Sequence, residues 1–176
     1  MPADELIDVA ALEARISGVG AGIVALDGAP QAGKSWLMSE LARRLRCDAI
    51  DLDDHLDEDH RVFVDALRLT ELDRRLDAAL AASRLVLVAG VCMREVLDKL
   101  GRSPALSIYV QRNTPMGIAG DLDMIDAEDG EQSNATKELD ALFLDCGVLD
   151  REVRHYHERY KPRRNADIIF IRTDSR

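Results

Sequence analysis

Gly28-Ala29-Pro30-Gln31-Ala32-Gly33-Lys34-Ser35 matches the pattern G-x-x-x-x-G-K-[ST] in full, and this pattern dictates its own surroundings. Its glycines let the backbone take turn conformations closed to other residues and bring N–H groups close to phosphate oxygens. The following helix must point its positive end at the same anion, so a strand has to lead in and a helix has to lead out. Ile23-Val24-Ala25-Leu26-Asp27 is a mostly apolar run of strand length, and Leu37, Leu41 and Leu45 recur at helical spacing between Trp36 and Arg46. The earlier Gly18-Val19-Gly20-Ala21-Gly22 enters a strand rather than a helix and reads as a turn.

The chemistry follows from the residue types. Lys34 reaches β- and γ-phosphates as a mobile point charge, and the Ser35 hydroxyl suits Mg²⁺ held jointly with a triphosphate. The stretch Gly28, Ala29, Pro30, Gln31, Ala32, Gly33, Lys34, Ser35 and Trp36 is the candidate nucleotide-binding segment. Trp36, just inside the helix, is expected to pack into the core.

A chain of 176 residues suits one domain, here 1–176, with a proper core and no need of disulfides. The cysteines Cys47, Cys92 and Cys146 are widely spaced and form no C-x-x-C, as in reduced cytosolic thiols. The start is acidic and no apolar run approaches a bilayer span, which predicts neither a signal peptide nor a membrane helix and points to the cytoplasm. A net charge of −10 disfavours nucleic acid and anionic lipid as partners. It leaves a nucleotide open, because the loop answers phosphate with local donors.

Taken in order, residues Asp4 to Ile16 read as an amphipathic helix. Cys47 to Asp54 reads as a short strand whose period of two places Asp51 and Asp53 on one face. Arg61 to Ser83 reads as a helix, with Leu72, Leu76 and Leu80 four apart. Leu85 to Val91 is a continuous apolar run that fits a central parallel strand. Met93 to Leu100 predicts a helix, and Ala105 to Gln111 a strand. Residues 113–135, with glycines and the series Asp121, Asp123, Asp126, Glu128, Asp129 and Glu131, predict a mobile acidic loop. A polar helix, the lid segment, is predicted over about 136–162, ended by Pro162. Ala166 to Ile171 is the last strand. This alternation specifies an α/β fold of three layers, a P-loop NTPase fold with a mainly parallel five-stranded sheet.

Several triphosphate-using classes are disfavoured. No Asn-Lys-x-Asp follows the loop, as a GTPase would need, and the central strand ends Val88-Ala89-Gly90 without the acid that motor and transporter ATPases carry there. His155 and His157 are two apart, and His55 and His60 lack a third ligand at zinc-like spacing, so a structural metal is not predicted.

Asp53-Asp54-His55-Leu56, Leu87-Val88-Ala89-Gly90-Val91, Tyr156-His157-Glu158-Arg159-Tyr160-Lys161-Pro162 and Ala166-Asp167-Ile168-Ile169 together resemble, in order, the segments of P-loop kinases of the uridine kinase and nucleoside kinase-like family, pantothenate kinase relatives included. The resemblance implies transfer of the γ-phosphoryl of ATP, with Mg²⁺, to a hydroxyl of a small molecule. By it Asp53 matches the general base, and Arg163, Arg164 and Asn165 fall near adenine. A positioned carboxylate and positive charge around the phosphoryl oxygens are what such a transfer asks for. Asp51 is the companion metal residue beside Ser35 and Asp53, and Arg151, Arg154 and Arg159 are lid candidates, Arg151 and Arg154 sharing a helical face. Those carboxylates would also suit the solvated end of a strand, and the arginines a solvated helix face paired with Asp150, Glu152 and Glu158. One departure stands out: relatives commonly carry glutamate where this chain has Ala89. A nucleotide-binding regulatory or ATPase module with little kinase activity is the alternative this leaves.

Overall fold

The computed structural model describes residues 3–57, 62–130 and 147–173. Six strands form one sheet: β1 (Asp4–Leu6), β2 (Gly22–Asp27), β3 (Asp48–Asp51), β4 (Leu85–Ala89), β5 (Leu106–Asn113) and β6 (Ile168–Thr173). Their spatial order is β1-β6-β5-β2-β4-β3, and every neighbouring pair is parallel. Among the described residues the helices are α1 (Val9–Ser17), α2 (Lys34–Leu45), α3 (Phe63–Ala66), α4 (Leu69–Ser83), α5 (Met93–Lys99), α6 (Leu122–Asp129) and α7 (Val148–Tyr160). None of them is long and apolar enough to cross a membrane.

Both faces of the sheet are covered, as parallel strands require. Along β2, Val24 and Leu26 pack with Leu37 and Leu41 of α2 and Leu12 and Ile16 of α1, whereas Ile23 and Ala25 face Leu72 and Leu76 of α4 and Val96 of α5. β4 alternates in the same way, with Leu87 on the first face and Val86 and Val88 on the second. After β2 the chain moves outward to β3 and then β4, and after β4 it crosses to β5. The end of β2 is therefore a switch point, where open parallel sheets bind ligands. The motif Gly28 to Ser35 leaves the sheet there.

The sheet has six strands and not five because the predicted helix over Asp4 to Ile16 divides. Asp4 to Leu6 pairs along β6 at the sheet edge. The helix starts only after Asp8, whose carboxylate accepts the Ala11 N–H at 2.9 Å as an N-cap. The predicted Arg61–Ser83 helix is likewise broken, into α3 and α4, by extended backbone at Leu67. The predicted strand through Asp54 stops at Asp51. Leu52–His55 forms a 3₁₀ turn instead, capped by the Asp51 side chain, which accepts the Asp53 N–H at 3.1 Å. Asp51 and Asp53 are thus neighbours across a capped turn rather than alternate residues of a strand.

The acidic stretch expected to be a loop contains α6, closed by Gly130 in the left-handed conformation. Composition misled here because one of its charges is internal. Glu128, 3% exposed, accepts the N–H groups of Arg163 and Arg164, each at 3.0 Å, and lies 2.8 Å from His157 Nδ1. Of the predicted lid helix over 136–162, α7 is its later part; residues 136–146, like 131–135 of the predicted loop, lie outside the described residues.

Leu87 is fully buried at the centre of the sheet, so Leu87→Ala is expected to cost about 2–5 kcal/mol of stability. Ile7→Ala, at a side chain 78% exposed, is expected to change stability by less than about 0.5 kcal/mol. Urea unfolding checks both: the midpoint falls for the first at an unchanged slope and stays in place for the second.

Candidate functional site

The site begins with the backbone of the loop. Gly28 takes φ 147°, and a Cβ there would meet the Val110 carbonyl oxygen at 2.5 Å, so only glycine lets the loop lie this close to β5. Gly33 takes φ 92° and caps α2 with no side-chain hydrogen bond. The N–H groups of the first turn of α2 are consequently left for a ligand, at the positive end of a twelve-residue helix.

Lys34 is buried, and its ammonium donates to the carbonyls of Gly28 at 2.9 Å and Ala29 at 2.7 Å. The lysine is folded over its own loop, its charge answered by peptide oxygens. Burial pulls its pKa down from the ordinary lysine value, while Asp27, Asp53 and Asp51 push it back up. Triphosphate oxygens, being fully charged, make stronger partners for this ammonium than neutral carbonyls do.

Behind the loop lies Asp27, the last residue of β2, only 7% exposed. Its carboxylate accepts the Gly28 N–H at 2.8 Å and the Tyr156 hydroxyl of α7. The same hydroxyl accepts the Arg94 N–H at 3.1 Å, in the first turn of α5. Burial raises the Asp27 pKa, and these hydrogen bonds work against that rise. In the sequence Asp27 reads only as a strand residue and Tyr156 only as part of a segment carrying the resemblance, with nothing linking the two. The signal was the acid directly before the first glycine of the motif.

In front of the loop, Ser35 Oγ donates to Asp51 Oδ2 at 2.5 Å. Asp51 stands in register with Ala89 on β4, so the carboxylate missing from the end of β4 is offered by the adjoining strand. Hydroxyl and carboxylate together make the oxygen pair that Mg²⁺ takes alongside phosphates and water. This donor set fits that ion. Among the described residues no group of three or more His, Cys, Asp and Glu side chains is arranged to enclose a metal. Asp53 follows on the turn, and burial first, then the charges of Asp51 and Asp54, raises its carboxyl pKa against the opposing pull of Lys34.

Of the arginines singled out in the sequence, Arg151 is exposed, and Arg154 Nε lies 3.7 Å from Glu158 on the same helix. Arg159 sits over the Tyr160 ring at 5.3 Å. Between Arg151 and Arg154, Glu152 faces the other way and accepts the N–H groups of Phe63 and Val64, at 2.7 and 2.9 Å, holding the start of α3. Arg163 Nε donates to Gln111 Oε1 at 2.9 Å. His155 is exposed and pairs with Glu158, whereas His157 is fully buried, edge-on to Tyr109 and Tyr156.

Two arginines that sequence reasoning did not single out flank the loop. Arg112 and Arg172 are register partners at the ends of β5 and β6. Arg112 Nη1 donates to the Gln31 carbonyl at 3.3 Å, and the Arg172 guanidinium lies 5.0 Å above the Trp36 ring and against Gly33. Trp36 is therefore not a core residue: it is 52% exposed, its indole covered by a cation rather than by apolar neighbours. Arg172 lies two past the apolar Phe170 and shares its face because β6 runs on to Thr173, beyond the predicted end at Ile171. Beside the loop, a cavity of about 290 Å³ runs between Ala29–Ala32 and Arg112–Thr114, with Gly120 and Asp121 completing it.

The motif and the parallel sheet give the chain a P-loop fold, with the loop leaving the end of β2. The solved structure of a protein described as a possible uridine kinase from Bacillus stearothermophilus superposes with a TM-score of 0.57 at 16% identity, covering 92% of this chain and 96% of that one. Shikimate kinases from Bacteroides thetaiotaomicron and Aquifex aeolicus superpose more loosely, with TM-scores of 0.37 and 0.39 at 16% and 18% identity, each over 85% of this chain and over 85% and 86% of theirs. No protein-family model matches the sequence, and no curated protein matches it significantly.

Removing the Tyr156 hydroxyl would leave a buried Asp27 oxygen without that donor. Tyr156→Phe is expected to lower stability by about 1–3 kcal/mol. Urea unfolding with an unmoved midpoint would mean that Asp27 does not depend on Tyr156.

Proposed function

We propose that the chain is an ATP-dependent kinase that transfers the γ-phosphoryl group to a hydroxyl of a small molecule. The observation that carries the reading is the convergence of Lys34, the Ser35–Asp51 pair and Asp53 on one side of an open P-loop. The shared fold with a protein described as a possible uridine kinase is in keeping with it.

In this reading the first turn of α2 and the loop amides hold the β- and γ-phosphates, and Lys34 leaves the carbonyls of Gly28 and Ala29 for their oxygens. Ser35 and Asp51 would hold Mg²⁺, which would supply neutralisation of phosphate charge. Asp53 accepts the proton of the acceptor hydroxyl as its oxygen bonds to the γ-phosphorus. The bond from that phosphorus to the β,γ-bridging oxygen breaks, giving ADP and a phosphate monoester. Arg151 and Arg154 are the lid cations of the proposal, the charges that would neutralise the transferring group. The cytoplasm, ATP and Mg²⁺ belong to the same proposal.

A second reading, a nucleotide-binding regulatory module with slow ATP turnover, draws on Ala89, where an acid would complete the end of β4. The two readings part at Asp53. Incubation with Mg²⁺-ATP and a panel of nucleosides, pantothenate and sugar-like acceptors is expected to give acceptor-dependent ADP. Asp53→Asn is expected to reduce it by about 10²-fold or more while ATP still binds. ADP formation indifferent to every acceptor and to Asp53→Asn would favour the module and overturn the kinase.

The pH profile adds an independent check. A general base works ionised, and the Asp53 pKa is raised, so kcat/KM is expected to fall as pH drops through that raised value. The acid limb then lies above the ~3.9 of an ordinary aspartate. A profile flat down to the ordinary carboxylate range would remove Asp53 from the proton transfer.

A further inference from the structure

Arg172 differs from the other partly buried arginines. Arg102 pairs with Asp73 and Asp77, each at 2.7 Å, and Arg154 lies 3.7 Å from Glu158. Arg163 donates to Gln111 and lies 3.8 Å from Glu5, and Arg94 donates to the Asn165 carbonyl. Arg172 forms no hydrogen bond or ion pair among the described residues, and its charge rests on the face of the Trp36 ring. The chain carries 33 acidic residues against 23 basic ones, so carboxylates are in excess. A partly desolvated guanidinium left without one points to an anion supplied from outside.

The surroundings say which anion. Arg172 Nη1 lies 2.2 Å from where a Cβ on Gly33 would stand, so the guanidinium fills the space that a side chain at 33 would need. Gly33 heads α2, whose first-turn N–H groups are open to a ligand. Arg112, the register partner of Arg172 on β5, reaches the Gln31 carbonyl of the same loop. Two like charges on neighbouring strands repel, and an anion at the loop offsets that repulsion. The sheet order puts β5 and β6 on one side of β2, and β4 and β3 on the other. The Ser35–Asp51 pair and Asp53 stand on the β3 side, where the proposed transfer takes place. Arg172 stands on the opposite flank, at the other end of a phosphate chain laid along the loop.

We propose that Arg172 holds the phosphate next to the nucleoside, its guanidinium donating to the oxygens of that group. The inference rests on the reading of Gly28 to Ser35 as a triphosphate site, and it concerns binding alone. The phosphate in question is present in ATP and in ADP, and it is not the one transferred.

Calorimetric titration of the full chain with Mg²⁺-ATP and Mg²⁺-ADP tests it. Arg172→Gln is expected to weaken both nucleotides by about tenfold or more, and by similar factors. Arg172→Lys, which keeps a point charge without the planar fork, is expected to fall between that variant and the wild type. The gap between wild type and Arg172→Gln is expected to narrow from about 0.05 M to about 0.5 M salt, as a charge contact does. A loss shared equally by Arg172→Gln and Arg172→Lys and indifferent to salt marks a structural role and overturns the inference. A loss for ATP but not for ADP overturns it as well, since Arg172 would then meet the transferred group. In the wild type, ADP is expected to change Trp36 emission as ATP does; a change given by ATP and not by ADP overturns the inference without any variant. If Arg172→Gln binds both nucleotides like the wild type, Arg172 drops out and the phosphate-loop reading stands. If the wild type binds neither nucleotide, both fall.

Discussion

The interaction on which the rest depends is the burial of opposite charges on either side of one turn of backbone, Lys34 in front of the loop and Asp27 behind it. Each is costly to bury, and each is held by partners that also fix the loop. Lys34 ties down the carbonyls of Gly28 and Ala29, and Asp27 ties down the Gly28 N–H. The loop is thereby shaped without its ligand, and phosphate has only to displace the lysine from neutral oxygens. Pre-forming a site in this way lowers the ordering that binding must impose.

One helix extends that order outward. On α7, Glu152 holds the start of α3, Tyr156 holds Asp27 and the first turn of α5, and His157 lies against Glu128 of α6. α3 stands close to the turn carrying Asp53, Asp27 abuts the phosphate loop, and α6 begins at Asp121 on the cavity. α7 is thus tied at once to the neighbourhood of Asp53, to the phosphate loop and to α6.

Legibility in the sequence followed the range of the interactions. The phosphate loop, β2, α2 and the parallel character of the sheet could be read because each rests on local spacing. Leu37, Leu41 and Leu45 announce α2, and the unbroken run through Val88 announces a strand covered on both faces. β1 could not be read, since three residues at an edge acquire strand structure only from β6, which lies at the far end of the chain. α6 was hidden because Glu128 looks like a solvating charge until His157 and the Arg163 and Arg164 amides are brought beside it. Asp51 and Asp53 were paired by the wrong geometry: a capped turn, not strand alternation, sets them side by side. Ala89 looked like a missing acid, and only strand register brings Asp51 next to it. Arg112 and Arg172 were passed over because they lie just beyond the predicted ends of their strands, and Asp121 was read as a loop charge because its Tyr109 partner is brought to it only by the fold.

The chain's single tryptophan makes the central claim directly measurable. Trp36 directly follows Ser35, half exposed under the Arg172 guanidinium, so its emission is placed to report phosphate entering the loop. Titrating Mg²⁺-ATP against tryptophan fluorescence should give a saturable change in the wild type, and in a folded Lys34→Ala the same change should require about tenfold or more nucleotide. Superimposable curves for the two proteins would contradict the account, because the buried lysine would then be holding its loop together and not waiting for a phosphate.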